Sequence, residues 1–354
     1  MKLLLVDGYS LLFRAFFSSP PLTTKDGQPT GALFGFARML IRLLEDEKPD
    51  YLLVAIDAHA PTFRHDRSQD YKSTRAETPD DLRPQTTRLR EMLDGLSVPW
   101  YEHAGFEADD ILGTLARVGE KEDWDVTVVT GDGDALQLAT KKVHVMLTRR
   151  GVTDLDDYDH DAVIPDYKGL RGDTSDNIPG VPGIGEKTGG KLVAEFGSLE
   201  EIYENLEKVK PDRIRRLLEE HREQAFESRL LARIITDLPI EIDPKKCDVQ
   251  PFEELSEEKQ ERFVDTLRLL EFKSLTAQYS AKLSGGALPS DVPITKPLEA
   301  EFERAKNNDA VQKWLDEHQD RCISVARVGN TLALAQDSKV LLCDADSAAL
   351  SKWL

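Results

Sequence analysis

Three carboxylates, Glu107, Asp109 and Asp110, fall within four residues of one another in the run GFEADDILGTLARV. Apolar residues follow them at helical spacing, so the run predicts an amphipathic helix whose first turn projects Glu107 and Asp110 together. Acids at a helix start also have an ordinary role, because each complements the helix dipole by about 0.3–1 kcal/mol. The recurrence of acids elsewhere in the chain favours a chemical role.

Further acids follow three short apolar runs, which is the pattern of buried strands. KLLLV leads into Asp7, YLLVAI leads into Asp57, and DVTVVT leads into a GDGD motif that contains Asp132 and Asp134. Strands that alternate with helices predict a mostly parallel sheet, and such sheets place their sites beyond the carboxyl ends of the strands. We therefore expect these four acids to share one rim of the sheet.

Carboxylates that converge in this way cannot all stay ionised without a compensating cation. The candidate donors are all oxygen atoms, and no Cys or His joins them, so the set favours Mg²⁺ or Mn²⁺ over zinc. Two such ions, about 4 Å apart, are a standard device for phosphodiester hydrolysis. The sequence shows no serine elbow, P-loop or Cys/His pair, which agrees with water as the nucleophile.

A glycine-rich block, GVPGIGEKTGGKL, precedes a predicted helix. A Gly-Ile-Gly hairpin before a helix would present N–H groups to a phosphate, and the lysines add charge. This is the helix-hairpin-helix pattern of sequence-independent DNA contact. A dinucleotide site is a weaker interpretation because no strand precedes the block, and a plain connector is the ordinary alternative. The residues expected at the DNA are Gly183, Ile184, Gly185, Lys187, Thr188 and Lys191.

The stretch between Ala58 and Pro84 loses periodicity and becomes polar and basic. It predicts a long functional loop or a mobile helical insertion, with a solvated loop as the ordinary alternative. Lys72 and Arg75 stand at i,i+3, so in a helix both would face one phosphate, while Tyr71 offers a stacking surface. Arg64 is a further candidate contact to DNA.

The elements that must position these residues form two or three domains, since the chain has 354 residues, 40% of them hydrophobic and 31% charged. A linker is expected over 284–297. Helices are predicted over 11–17, 31–46, 199–207, 211–220, 224–235, 256–270 and 300–316, and strands near the end over 322–328, 331–335 and 340–342.

The net charge of −19 argues against binding of nucleic acid through overall charge, although a local basic strip can still bind it. Three scattered cysteines favour a reducing compartment. The apolar start of the chain is too short for a signal peptide, and no run approaches the roughly 18 apolar residues of a membrane span. We therefore expect a cytoplasmic protein with no membrane partner.

Taken together, VDGYSLLFRAFF, YKSTR, FEADD, TGDGDALQL and GDTSDNIPGVPGIGEKT resemble the 5′-nuclease domain of bacterial DNA polymerase I, the flap-endonuclease family. The resemblance runs from Met1 to about Leu283. It implies an α/β, PIN-like nuclease core over 1–170, with a mostly parallel sheet flanked by helices and a helical arch at about 58–84. A helix-hairpin-helix domain over 171–283, with a potassium ion, would follow.

The stretch from 298 to 354 resembles the start of a proofreading-type α/β domain. We expect this domain to be truncated, and the stretch lacks the acids that an active proofreading site carries. No polymerase palm motif is present, so a fragment of a longer polymerase is expected.

The resemblance also implies residue roles. Lys72 and Arg75 would steer the scissile phosphate, and Arg14 and Phe13 would line the path of the DNA. Asp110 would stand beside the first of two metal ions. The ligands would be Asp7, Asp57, Glu107 and Asp109 for the first ion and Asp132, Asp134, Asp173 and Asp176 for the second.

One departure concerns the second ion. The run Asp161–Lys168 is shorter than the corresponding segment of the family, so a helix leading into Asp173 is expected to be lost or truncated. The main hypothesis is a monomeric, metal-dependent nuclease of replication and repair that acts on DNA with a 5′ flap, nick or RNA primer. The alternative is a catalytically impaired module that only binds branched DNA. The hairpin block and the arch argue against a third hypothesis, a PIN-type ribonuclease.

Overall fold

The computed structural model describes residues 1–148, 155–158, 164–240, 242–284, 301–305, 311, 313–314, 324–328, 331–336 and 339–344. The chain divides into two units, Met1–Ala287 and Leu288–Leu354. No helix within the described ranges has both the length and the apolar character that crossing a bilayer requires.

The first unit contains a six-stranded sheet in the order β3-β2-β1-β4-β5-β6. All neighbouring strands run parallel except β5 and β6, which are antiparallel, so the predicted mostly parallel sheet is confirmed. Its strands are β1 (Lys2–Asp7), β2 (Tyr51–Ala55), β3 (Trp100–Tyr101), β4 (Asp125–Thr130), β5 (Val143–Thr148) and β6 (Leu155–Tyr158).

Helices cover both faces of this sheet, as a parallel sheet requires. In the central strand β1, Leu4 and Val6 face one hydrophobic core, and Leu3 and Leu5 face the other. The helices are α1 (Gly8–Ser18), α2 (Gly31–Glu47), α3 (Phe63–Arg67), α4 (Arg83–Gly95), α5 (Ala108–Lys121), α6 (Ile164–Arg171), α7 (Glu186–Phe196), α8 (Leu199–Glu204), α9 (Asp212–Glu220), α10 (Arg222–Ala232), α11 (Glu257–Leu269) and α12 (Lys273–Leu283).

A third core joins α6 to α10 into a small helical part, in which Leu170 packs with residues such as Val181 and Leu218. This part begins at α6, ahead of the predicted boundary after residue 170. The predicted helical domain extends to residue 283 and so includes α11 and α12. Phe263 of α11 and Tyr279 of α12 pack in the first core, against the nuclease sheet.

The helix expected to be lost or truncated before Asp173 is present as the eight-residue α6. Its two turns are enough to pack against α7 and α10. Three of its residues, Pro165, Gly169 and Leu170, are buried.

The basic insertion differs from the expected helical arch. Within the fully described stretch 58–82, only the short α3 is helical. Tyr71 to Arg75 lie in turns and a bend, and Lys72 adopts a φ of +57°, which a right-handed α-helix does not permit. Lys72 and Arg75 therefore do not stand on one helical face.

The second unit contains a four-stranded sheet in the order β7-β10-β9-β8. The three predicted strands near the end are confirmed, but the helix predicted from residue 300 is wrong at its start, where β7 pairs in parallel with β10. The strands are β7 (Glu301–Arg304), β8 (Ser324–Val328), β9 (Thr331–Gln336) and β10 (Lys339–Asp344).

Candidate metal centre

Three adjacent strands deliver acids to one rim of the sheet, as the sequence predicts. Asp7 ends β1, Asp57 follows β2, and Asp132 follows β4. Asp7 also caps α1, because its Oδ1 accepts the backbone N–H of Ser10 at 3.0 Å, and its Oδ2 accepts the hydroxyl of Thr130 at 2.7 Å. Burial and the nearby Asp57 nevertheless raise the pKa of Asp7 to about 7.

Helix α5 brings its first turn to the same rim. The backbone N–H of Ala108 donates to Asp57 Oδ1 at 2.8 Å, which ties the end of β2 to the start of α5. Asp109 follows, and its buried Oδ1 has no hydrogen-bond partner. Burial, followed by the negative charges of Asp7 and Asp132, raises the pKa of Asp109 well above its usual value.

A second group of acids gathers around Lys168 of α6. Its ammonium bridges the carboxylates of Asp134 and Asp173, and all three side chains are at most 19% exposed. Burial and the neighbouring Asp132 raise the pKa of Asp134 to about 6. Although burial raises the pKa of Asp173, hydrogen bonds from Lys168 and Ser175 lower it to about 2.

The basic turn at 71–75 closes over both groups of acids. Lys72 Nζ donates to Glu107 Oε1 at 2.7 Å, and Arg75 Nε donates to Asp176 Oδ1 at 3.1 Å. The hydroxyl of Tyr71 lies between them, 3.3 Å from Glu107 and 3.4 Å from Asp176. Each of these two acids thus has a cation as its partner.

Asp110, expected beside the first metal, accepts a hydrogen bond from the backbone N–H of Glu107 at 3.1 Å but faces the interior rather than the open rim. It is fully buried and accepts two hydrogen bonds from Arg64, at 2.7 and 2.8 Å, and one from the backbone of Ile235 at 2.8 Å. Arg64 in turn is 2% exposed and donates to the carbonyls of Leu231 and Arg233. Arg64 is therefore a structural cation rather than a contact to DNA.

Two further expectations are corrected by burial. Tyr71 is 4% exposed, so its ring offers no free surface for stacking. Ile184 is 3% exposed and packs in the third core, where it anchors the hairpin instead of facing a partner. Gly183, Gly185, Lys187 and Lys191 are exposed as expected, with Thr188 half-buried. On α1, Arg14 is half-buried, and Phe13 packs against the first core.

Sequence reasoning missed Lys168 and a network around Arg90. Arg90 of α4 donates to Tyr9 Oη at 2.7 Å and to the carbonyl of Asp57 at 3.3 Å, and it pairs with Glu102. These contacts hold the loop that carries Asp57. Lys168 lies only five residues before Asp173 in the sequence, so a contact between them could have been predicted. The Arg90 network joins segments that are far apart in the sequence, and no local pattern predicts it.

The acids have the ligand chemistry that a divalent cation requires, but in this structure they are spaced too widely to hold one. Among the described residues, no three acidic, histidine or cysteine side chains stand close enough together to hold an ion as they are. The donors are all oxygen atoms, and Asp109 Oδ1 is buried with no partner. A hard cation would satisfy that atom and the surplus negative charge around it.

Two sequence profiles of known families match this chain. A sequence profile of the 5′-3′ exonuclease N-terminal resolvase-like domain matches residues 2–178, and one of the 5′-3′ exonuclease C-terminal SAM fold matches residues 160–255. The DNA polymerase I of Bacillus subtilis is 46% identical over 71% of this chain and 30% of its own length. That of Bacillus caldotenax is 40% identical over 83% and 34%. The chain thus spans about a third of the length of these relatives.

Solved structures show the same fold. A T5 5′-exonuclease with bound zinc has a TM-score of 0.55 at 20% identity, over 80% of this chain and 99% of its own. A T5 flap endonuclease in complex with DNA and metal ions has a TM-score of 0.54 at 22% identity, over 80% and 98%. These similarities confirm the PIN-like α/β fold. The profile matches confirm both the predicted enzyme class and the resemblance, and the chain belongs to the 5′-3′ exonuclease family.

Proposed function

We propose that this chain is a divalent-metal-dependent 5′ nuclease that cleaves 5′ flaps or primers on duplex DNA by two-metal phosphodiester hydrolysis. The observation that carries the proposal is Asp109 Oδ1, a buried carboxylate oxygen without a partner beside Asp7, Asp57 and Asp132. Leaving such an atom unsatisfied costs about 1–3 kcal/mol or more, so the fold maintains it for a ligand that binds there.

Two ions, Mg²⁺ or Mn²⁺, would be held by the two groups of acids. Asp7, Asp57, Glu107 and Asp109 would hold the first, and Asp132, Asp134, Asp173 and Asp176 the second. When bound, such ions lower the pKa of an attacking water and stabilise the charge that develops on the scissile phosphate. The chain's own contribution is orientation, because backbone N–H groups of Ser10 and Ala108 fix the carboxylates of Asp7 and Asp57.

Lys72 and Arg75 are proposed to steer the scissile phosphate. Both cations already lie at the rim, paired with Glu107 and Asp176. A phosphate that entered the site would offer them stronger acceptors, while ions would take over the acids. Arg14 and Phe13 of α1 would lie along the path of the DNA.

The hairpin is proposed to hold the duplex. Gly183 and Gly185 are exposed and stand directly before α7, whose N-terminus favours a phosphate. Lys187, Thr188 and Lys191 would add contacts, and a potassium ion at the hairpin is part of the same proposal from the family resemblance. The complex of the T5 flap endonuclease with DNA and metal ions supports DNA as the partner.

As a whole, the chain would act as the nuclease part of a DNA polymerase I, monomeric and cytoplasmic. The alternative, a catalytically impaired binding module, rested on the shortened segment before Asp173. That segment still forms α6, and Lys168 of α6 pairs with both Asp134 and Asp173, which favours the nuclease over the alternative.

The proposal is tested by a cleavage assay on a 5′-flap duplex with Mg²⁺, beside a binding assay on the same duplex with Ca²⁺. Asp109→Ala should abolish cleavage and keep most of the binding, since the hairpin is unchanged. Lys72→Ala should slow cleavage much more than it weakens binding. Binding without cleavage by the unaltered chain, with either Mg²⁺ or Mn²⁺, would refute the proposal.

A further inference from the structure

Lys168 occupies a place where the proposed function calls for a cation. It lies in the last turn of α6, with its side chain 11% exposed, and its ammonium bridges Asp134 and Asp173. Asp134 comes from the turn after β4, whereas Asp173 lies in the loop after α6. A single ammonium therefore joins the two segments that would supply the second metal ion.

The charges around Lys168 do not balance. One positive charge stands against two carboxylates, and a third belongs to Asp132, whose Oδ1 accepts the backbone N–H of Asp134 at 2.9 Å. A structural ion pair usually matches its charges, because a buried surplus is costly. A divalent ion in place of the lysine would balance the two bridged carboxylates, Asp134 and Asp173, and would leave only the charge of Asp132.

The side chain of Lys168 can be displaced from Asp134 and Asp173 more readily than an arginine could. An ammonium on a four-carbon stem is a compact point charge with freely rotating donors, whereas a guanidinium would lock two carboxylates in fixed geometry. Asp173 keeps other partners without Lys168, since it accepts hydrogen bonds from the backbone and hydroxyl of Ser175 at 2.8 and 2.6 Å. The loop of Asp173 is thus held in place when the lysine moves.

We propose that Lys168 is the resident counter-cation of the second metal site and competes with the second divalent ion for Asp134 and Asp173. This inference rests on the proposed function and deepens it. In the absence of DNA, Lys168 lowers the affinity of the second site. A DNA phosphate gives the displaced ammonium a new partner and gives the ion another ligand, so loading of the second site is coupled to substrate.

The test is calcium binding to the DNA-free chain by titration calorimetry, in the unaltered protein and in Lys168→Met. Methionine keeps the apolar stem and removes the charge. We expect the second ion to bind about tenfold or more tightly in this variant, because a charge-assisted competitor is gone. The matched control is Lys142→Met, since Lys142 also faces two acids, Asp123 at 3.2 Å and Asp125 at 3.5 Å, but at the opposite end of β4.

A second measurement uses the unaltered chain and does not depend on how the variant folds. Reductive methylation followed by mass spectrometry should find Lys168 protected in EDTA and reactive with saturating Ca²⁺. Protection that persists with Ca²⁺, or a second-site affinity that is unchanged or weaker in Lys168→Met, would overturn the inference. If the unaltered chain still cleaves flaps in that case, the proposed function stands. Absence of calcium binding in all three proteins would overturn both.

Discussion

Asp109 and Asp110 are adjacent carboxylates with opposite surroundings. Asp109 has a buried oxygen with no partner and lies among Asp7, Asp57 and Asp132. Asp110 is saturated by Arg64 and by the backbone N–H groups of Glu107 and Ile235. The two side chains should therefore contribute to stability with opposite signs.

Asp109→Asn is expected to stabilise the metal-free protein. Asparagine keeps the shape of the side chain and removes a charge that burial and its acidic neighbours disfavour. Thermal unfolding in EDTA at pH 8 should show a melting temperature higher by about 2–4 °C for each kcal/mol gained. The same variant should lose most of the stabilisation that Ca²⁺ gives the unaltered chain. A lower melting temperature in EDTA would contradict the repulsion described here.

Asp110→Asn is expected to destabilise the protein, by about 3–5 kcal/mol, because it removes the carboxylate charge that accepts two hydrogen bonds from the buried Arg64 and leaves only the longer contact with Glu107 at 3.5 Å. Denaturant unfolding would measure the loss. Asp46→Asn is the control, since Asp46 pairs with Arg42 on the surface at 61% exposure and should change stability by less than about 0.5 kcal/mol. Equal losses of stability in the two variants would show that the buried pair stabilises the fold no more than the surface pair does.

At the scale of elements, periodicity was enough to predict the strand ends that carry Asp7, Asp57 and Asp132, and the helix that begins after Glu107. It was not enough to separate Asp109 from Asp110. Consecutive residues of a helix point about 100° apart, so one faces the rim and the other the interior. Asp110 is the one that faces the interior because Arg64 and the chain at 231–235 pack beside α5. No local sequence pattern predicts where these segments lie relative to α5.

The turn at 71–75 was mispredicted for a related reason. Its spacing of basic residues suits a helix, but its conformation is set by partners far along the chain. Asp176 accepts from Arg75, and its carbonyl accepts the backbone N–H of Lys72 at 2.9 Å. Asn177 donates to the carbonyl of Asp70 at 2.8 Å. Long-range polar contacts of this kind override a local preference for helix.

Gly185→Ala tests the hairpin as an element. A Cβ built at Gly185 meets no atom within 4 Å, and the φ of −99° suits alanine, so folding should be unaffected. Binding to flap DNA in Ca²⁺ should weaken, since a methyl group would hinder the approach of a phosphate to the hairpin. Gln250→Ala is the control, because Gln250 is an exposed, neutral residue outside both the hairpin and the acid rim. Equal affinity of the two variants for flap DNA would show that the hairpin is not part of the DNA interface.

At the scale of the whole molecule, the domain plan was only partly predictable. The glycine-rich motif predicts the helical part between α6 and α10. In the sequence, α11 and α12 have the same amphipathic pattern as the helices of that part. Their apolar faces indicate that they are buried, but the pattern does not indicate which core they pack in. Phe263, Leu267 and Tyr279 complete the first core beneath α2 and α4, far away in sequence.

The acid rim should also shape the pH dependence of stability of the entire metal-free unit. Burial raises the pKa of Asp7 from 3.8 to about 7 and that of Asp134 to about 6, so the folded protein holds protons that the unfolded chain has released. Stability therefore falls as the pH rises from about 4 to about 7. Asp173, with a lowered pKa of about 2, acts in the opposite sense only below about pH 4.

Melting temperatures in EDTA across this range would measure the fall. With saturating Ca²⁺ the fall should shrink or reverse, because an ion favours the ionised carboxylates. A melting temperature in EDTA that rises steadily from pH 4 to pH 7 would contradict the raised pKa values of Asp7 and Asp134.

The buried pair of Arg64 and Asp110 has a mechanical consequence. It fastens the start of the basic insertion to α5 and to the segment after α10, with no side chain exposed to salt or ligand. The partly exposed side chains of Lys72 and Arg75 pair with acids at the rim instead. The turn itself is held by backbone contacts with Asp176 and Asn177 and by the buried ring of Tyr71. The insertion therefore has a fixed backbone and two cationic side chains that can change partners. An anion that attracts Lys72 and Arg75 would draw them away from Glu107 and Asp176, and a cation that binds these two acids would do the same, while the pair of Arg64 and Asp110 stays in place.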